Sequence, residues 1–183
     1  EVNDAEFKVM GLAAYGDPIL VDRLRMVIWY NEQTRRVESS QKYLNMKAGQ
    51  KPYTKYFVDL IGAEAPNSKL YAEKFTTKED VQRNKDLARY ANIACSAQVV
   101  LEEIVTRIFK NETVAEEVGG KEEVFYSGGV ALNTKANQRL WESDIKLMIP
   151  ADPGDGGSSL GSAYACFHEA TGKTIELETQ YLG

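Results

Sequence analysis

Val124-Phe125-Tyr126-Ser127-Gly128-Gly129-Val130-Ala131-Leu132-Asn133 is the most informative stretch of this 183-residue chain. A hydrophobic, aromatic run breaks at two glycines and resumes at Asn133 as a helix-compatible segment reaching Ser143, which predicts a strand, a tight turn and a helix. Glycines at such a turn let backbone N–H groups approach a ligand, and a helix start adds unpaired donors and partial positive charge suited to phosphate or ribose oxygens. The plainer alternative is a connection in which Gly128 and Gly129 only permit the bend and Asn133 only caps the helix.

Outward from this stretch the pattern is β, turn, α, β, turn, α. A strand at Glu123 to Ser127 leads through Gly128-Gly129 to a helix at Asn133 to Ser143. A second strand at Ile145 to Pro150 leads through Ala151 to Gly157 to a helix at Ser158 to Ala170. Such alternation predicts neighbouring parallel strands with packed helices and places both glycine loops at one carboxyl edge, where ligands bind in α/β folds. The second loop, Asp152-Pro153-Gly154-Asp155-Gly156-Gly157-Ser158-Ser159-Leu160-Gly161, holds two carboxylates. Asp155 is either an oxygen ligand for a metal or phosphate-bound cation, or an N-cap; Asp152, before Pro153, reads as a turn residue.

Towards the amino terminus, Asp4 to Tyr15 reads as a helix stopped by Gly16-Asp17-Pro18, and Pro18 to Tyr30 as a second helical segment whose end, Val27 to Tyr30, could equally begin a strand. Arg35 to Met46 reads as a polar hairpin or short extended pieces. Tyr56 to Ile61 is a short helix, followed by a loop at Gly62 to Asn67. The scattered Tyr53, Tyr56, Phe57, Tyr71 and Phe75 are better explained by packing than by base stacking. Lys78 to Phe109 carries a broad apolar stripe, with Thr77 and Asp80 spaced as a capping box and Lys85, Arg89 and Glu103 facing outward. A face that broad is expected against a sheet. The acidic connection Glu112 to Glu123 is expected to be solvated.

Composition narrows the function. Lys plus Arg is 22 against 27 Asp plus Glu, a net charge of -5, which disfavours nucleic acid as a partner. No apolar run approaches the roughly 20 residues of a membrane helix, and the acidic, polar opening shows no secretory signal. Cys95 and Cys166 lie in apolar helical contexts, and are expected to be buried free thiols in a reducing cytoplasm. With His168 as the single histidine, a self-contained His/Cys zinc site is excluded.

Three segments fit together: Glu6-Phe-Lys-Val-Met-Gly-Leu-Ala-Ala-Tyr-Gly16, Ser127-Gly-Gly-Val-Ala-Leu-Asn133 and Pro150-Ala-Asp-Pro-Gly-Asp-Gly-Gly-Ser-Ser-Leu-Gly161. In order and spacing they resemble motifs of the nodulation-type O-carbamoyltransferases. The transfer domain of that family is similar to the tRNA threonylcarbamoyladenosine-synthesis protein and belongs to the actin, sugar-kinase and heat-shock ATPase superfamily. The resemblance implies an α/β fold, the second lobe of an actin-like ATPase (ribonuclease H-like) domain with a mixed sheet and packed helices. It spans residues 1–183, with an irregular insertion at about 31–77. It also implies a cytoplasmic enzyme that moves a carbamoyl group from carbamoyl-adenylate, made with ATP and carbamoyl phosphate at a YrdC-like domain, to the hydroxyl of a small-molecule acceptor.

Carried across residue by residue, Gly128 and Gly129 would approach the nucleotide, Asn133 would hydrogen-bond its adenosine part, and Lys8 and Gly11 would lie beside it. Asp155 matches the aspartate of the family's Gly-Asp-Ala-Gly-Thr-Ala-Leu-Gly run, which helps hold a divalent metal, iron being the expected ion. Asp152-Pro153 stands where the family usually has Ala-Ala, and Gly157-Ser158-Ser159 where it has Gly-Thr-Ala. The histidines that mainly hold the metal belong to a preceding lobe and the adenylate is made in a following domain, so partners from the same polypeptide are expected and the fragment alone is expected to be inactive. The acceptor's general base is unassigned. The alternatives are an ATPase or sugar-kinase lobe of the same superfamily, and a non-catalytic nucleotide- or partner-binding module.

Overall fold

The computed structural model describes residues 6–45, 47, 51–63, 75–110, 123–143 and 145–174. It is a mixed α/β structure that divides into two compact units, Glu1–Glu116 and Glu117–Gly183.

The first unit is assembled on one long helix. Its elements are α1 (Glu6–Ala13), α2 (Val21–Arg25), β1 (Ile28–Asn31), β2 (Arg36–Ser39), α3 (Lys55–Ile61), α4 (Lys78–Arg83) and α5 (Lys85–Lys110). The apolar periodicity predicts a single helix from Lys78, but the chain leaves helical geometry at Asn84 (φ -97°, ψ 108°). The Asn84 side chain accepts from the Asp86 and Leu87 N–H groups at 3.1 and 3.2 Å, so it starts α5 afresh as a cap. The capping box on α4 is present as expected: Thr77 Oγ1 accepts from Asp80 N at 3.1 Å, and the Asp80 carboxylate accepts from Thr77 N at 3.1 Å.

The stripe of α5 meets α1, α2, α4 and β1, and among the described residues no broad sheet lies against it. Val100 and Ile104 join Leu24, Val27 and Tyr30 in one core cluster, while Leu87 and Ala91 join Val81 in another. At residues burying apolar area of this kind, each side chain supplies about 1.5–3 kcal/mol. Two polar residues on the same helix hold the turn after α1. Asn92 Oδ1 accepts from Asp17 N at 2.8 Å, and the fully buried Ser96 accepts from Leu20 N at 3.0 Å while donating to Asn92 O at 2.7 Å. The approach is so close that a Cβ on Gly16 would overlap the Ala91 carbonyl. Glu103 faces outward as expected, and there it receives Arg25 through two nitrogens at 2.6 and 3.0 Å.

β1 and β2 form an antiparallel hairpin, which settles Val27 to Tyr30 in favour of a strand from Ile28; of the hairpin or extended pieces expected over Arg35 to Met46, Arg36–Ser39 is a strand, but its partner lies upstream in β1. The short helix expected at Tyr56 to Ile61 is α3, closed by Gly62 in the left-handed region (φ 71°). Most of the loop expected at Gly62 to Asn67, Tyr71, and the connection from Glu112 lie outside the described residues.

The second unit contains β3 (Glu123–Phe125), α6 (Thr134–Trp141), β4 (Lys146–Met148) and α7 (Gly157–Thr171). β3 and β4 pair in parallel with Phe125 opposite Met148. Among its described residues Ala131, Ala136 and Leu140 are buried on the turn and helix that follow β3, and Pro153 is buried in the loop after β4. One mixed sheet is not what the described residues form, because each unit carries its own two-stranded sheet. The expectation of two buried thiols also fails: Cys95 is half-buried and Cys166 is exposed on α7, a helix without a buried residue. Apolar composition in α7 did not translate into burial within its unit. Among the described residues no helix is long and apolar enough to cross a membrane.

Candidate functional site

The parallel pairing of β3 and β4 brings the two glycine loops to one edge of the sheet, as the alternation of elements predicts. Tyr126 N continues the ladder to Met148 O at 2.9 Å; beyond it, Gly128 N and Ser127 Oγ both donate to Pro153 O, at 2.7 and 3.0 Å. One carbonyl of the second loop therefore fastens two consecutive residues of the first. Burial of the Tyr126 ring at this junction pushes its phenol above the ordinary tyrosine value.

The two glycines of the first loop are not equivalent. Gly128 has φ 104°, a backbone shape that side-chain-bearing residues rarely adopt, and its N–H is spent on Pro153. Gly129 has no such constraint, and a Cβ there would point into open space. It opens a 3-10 turn, Gly129–Leu132, and the N–H groups of Gly129 and Val130 make no hydrogen bond among the described residues. Two adjacent exposed donors of this kind suit an anionic oxygen.

Asn133 caps α6, its Oδ1 accepting from Ala136 N at 3.0 Å. One turn on, Asn137 Nδ2 donates to Ala131 O at 2.7 Å and so ties the 3-10 turn to the helix. This leaves Asn137 Oδ1 buried and without a partner among the described residues. Asn137 was not singled out from the sequence; its spacing of one helical turn from Asn133 is the signal that could have found it.

The second loop is held by close packing. A Cβ on Gly157 would overlap the Asp152 backbone carbonyl, and one on Gly156 would overlap the Asp152 carboxylate; Pro153 is buried. Asp152 thus acts within the turn. Asp155 does not cap α7, whose N-cap is Gly156 with no side-chain hydrogen bond. The Asp155 carboxylate is exposed and makes no hydrogen bond or ion pair among the described residues.

One carboxylate is too little for a metal ion. No group of three or more His, Cys, Asp or Glu is assembled among the described residues, and the exposed His168 sets Nδ1 against the Lys173 carbonyl at 3.1 Å. The residues present do not fit a metal on their own. Lys8 and Gly11 belong to the first unit, both exposed on α1, with Lys8 Nζ 5.7 Å from the centre of the Phe7 ring. Gly128, Gly129, Asn133 and Asp155 belong to the second.

A family model described as carbamoyltransferase N-terminus matches residues 1–173. Uncharacterized protein sll1178 of Synechocystis sp. (strain ATCC 27184 / PCC 6803 / Kazusa) is 36% identical over 173 residues, which are 92% of this chain and 25% of that protein. The chain therefore spans a quarter of the length of the curated relative it matches. No solved structure matches it. On the match over residues 1–173, the chain belongs to the carbamoyltransferase family, in the part described as its N-terminus.

Proposed function

We propose that this chain is the second lobe of an actin-like transfer domain in a carbamoyltransferase that moves a carbamoyl group from carbamoyl-adenylate to an acceptor hydroxyl. The observation that supports this reading is the pair of free, exposed N–H groups at Gly129 and Val130, beside an open space in place of a side chain. Both sit on the loop that Pro153 ties to the Asp155 loop.

In the transfer, the acceptor oxygen attacks the carbamoyl carbon, the bond from that carbon to the adenylate phosphate oxygen breaks, and AMP departs with the electron pair. The acceptor proton goes to a base that this chain does not identify. The chain's own part is positioning. The donors of Gly129 and Val130 hold phosphate oxygens, and loops fixed at one edge make the attack effectively intramolecular. Asn133, whose Oδ1 caps α6, stands at the end of the same turn and is the residue assigned to the adenosine part. Asp155 offers one oxygen ligand to a metal completed by residues outside this chain, and the reading assigns that metal no step here.

The test is Gly129→Val in the full-length protein. Because a Cβ at this position meets nothing, the fold should tolerate valine while its branched side chain covers the two donors. Adenylate affinity measured by calorimetry should fall at least about tenfold, close to the contribution of one or two charge-assisted hydrogen bonds. Unchanged affinity at unchanged melting temperature would remove the loop from the binding site.

A further inference from the structure

We propose that the lysine–tyrosine surface formed by residues 42–45 and 51–56 of the first unit binds a small sugar phosphate, free or as part of a nucleotide, with its phosphate on the lysines and its ring on Tyr56. The proposal is independent of the transfer reading. Between Glu38 and Asp59 the chain carries Lys42, Lys47, Lys51 and Lys55 and no acidic residue, although acids outnumber bases 27 to 22 overall.

The segment is built as a scaffold. Leu44 and Tyr53 form an antiparallel bridge, Asn45 N donates to Pro52 O at 2.9 Å, and Thr54 N donates to Tyr43 O at 2.9 Å. Thr54 Oγ1 adds a bond to Lys42 O at 2.6 Å. Tyr43, Leu44 and Phe57 pack on the core cluster around Leu24 and Ile104, which anchors the surface from beneath. Above it, Lys42 Nζ lies 5.3 Å from the centre of the Tyr43 ring and 5.5 Å from that of Tyr56, and Lys51 Nζ lies 6.0 Å from that of Tyr53. The rings fix where the ammonium groups stand without neutralising them.

These cations are unspent. Arg25, Lys78, Arg83, Arg89 and Arg107 of the same unit all pair with acids. Lys42, Lys51 and Lys55 make no ion pair or side-chain hydrogen bond among the described residues, and the hydroxyls of Tyr43, Tyr53 and Tyr56 are likewise unpartnered. Tyr56 is 60% exposed, a flat apolar face beside free donors. That combination matches a phosphate attached to a ring. A long polyanion fits less well, because beyond this segment it would meet a chain in net acidic excess.

The experiment uses the full-length protein at low ionic strength, with uridine diphosphate and ribose 5-phosphate as probes and uridine as the phosphate-free control. Binding of either phosphorylated probe, with uridine inert, supports the proposal, and their ratio tells whether the base is read. Replacing Lys42, Lys51 and Lys55 together by Gln should weaken probe binding about tenfold or more, several exposed charges acting together. Tyr56→Ala should weaken it about threefold or more, and the triple Lys→Arg variant should retain it, all at wild-type melting temperature. Gly129→Val should leave it unchanged. No binding of either probe, affinity that survives the Lys→Gln triple, or affinity lost only in Gly129→Val would overturn the proposal. So would a triple variant that keeps probe binding but loses affinity for an oligodeoxythymidine or polyglutamate.

Discussion

Helices α5 and α7 are both rich in small and apolar residues, yet they are used in opposite ways. α5 begins at a capping asparagine, follows a capped helix, and buries seven of its residues, from Leu87 to Val105. α7 begins at glycines without a side-chain cap and buries none within its unit. Around α5 the sequence is committed to making the fold; at the start of α7 it is committed to keeping side chains out of a loop and one carboxylate free.

The sharpest way to break that contrast is Asp155→Asn in the full-length protein. The carboxylate has no folding partner in view, so melting temperature should hold while carbamoyl transfer falls about 100-fold or more, the scale for losing a charged group that serves the reacting centre. A wild-type rate would return the residue to the loop's ordinary surface. Next in size, Ile104→Ala should cost about 2–5 kcal/mol in denaturant unfolding of this chain, against about 0.5 kcal/mol or less for Leu160→Ala on α7. Equal losses would mean that α7 is as firmly packed as α5. Gly157→Ala should cost roughly 1–3 kcal/mol, because the new methyl group meets the backbone of Asp152 and not a movable side chain. Thr77→Ala should cost about 1 kcal/mol through loss of the α4 cap.

The smallest effect concerns pH. Hydrogen bonds from the Thr77 side of the box, then from the backbone of Thr76 and Thr77, hold the Asp80 carboxyl below its ordinary range. A carboxylate depressed in the folded state stabilises above its unfolded pKa, and that contribution disappears as pH falls through the folded value. Asp80→Asn should therefore narrow the difference in melting temperature between neutral and strongly acidic solution. An unchanged acid limb would show that the box carries no linkage.

Local chemistry was legible in the sequence wherever one residue type answers one geometric demand. Thr77 with Asp80, the β–turn–α alternation after Glu123, and Gly62 closing α3 are of this kind. Asn84 was not legible, because the apolar period runs through it and a residue that caps can also sit on a helix face. The fate of the apolar α5 stripe was half legible: periodicity says that a face is buried but not whether helices or a sheet cover it. At the site, the shared edge of the two loops followed from parallel strands. The division of labour between Gly128 and Gly129 did not, since positive φ belongs to the backbone and both letters are the same.

The two donors received by Pro153 O have a consequence for how the loops can change by mutation. The acceptor is a main-chain carbonyl, which every amino acid possesses, whereas one of the donors is a hydroxyl and the other comes from a residue at φ 104°. The fastening is therefore blind to side-chain identity at position 153 and demanding at 127 and 128. A proline can stand there in place of an alanine without loosening the joint, so substitutions can accumulate on the second loop's side of this contact while the first loop stays constrained.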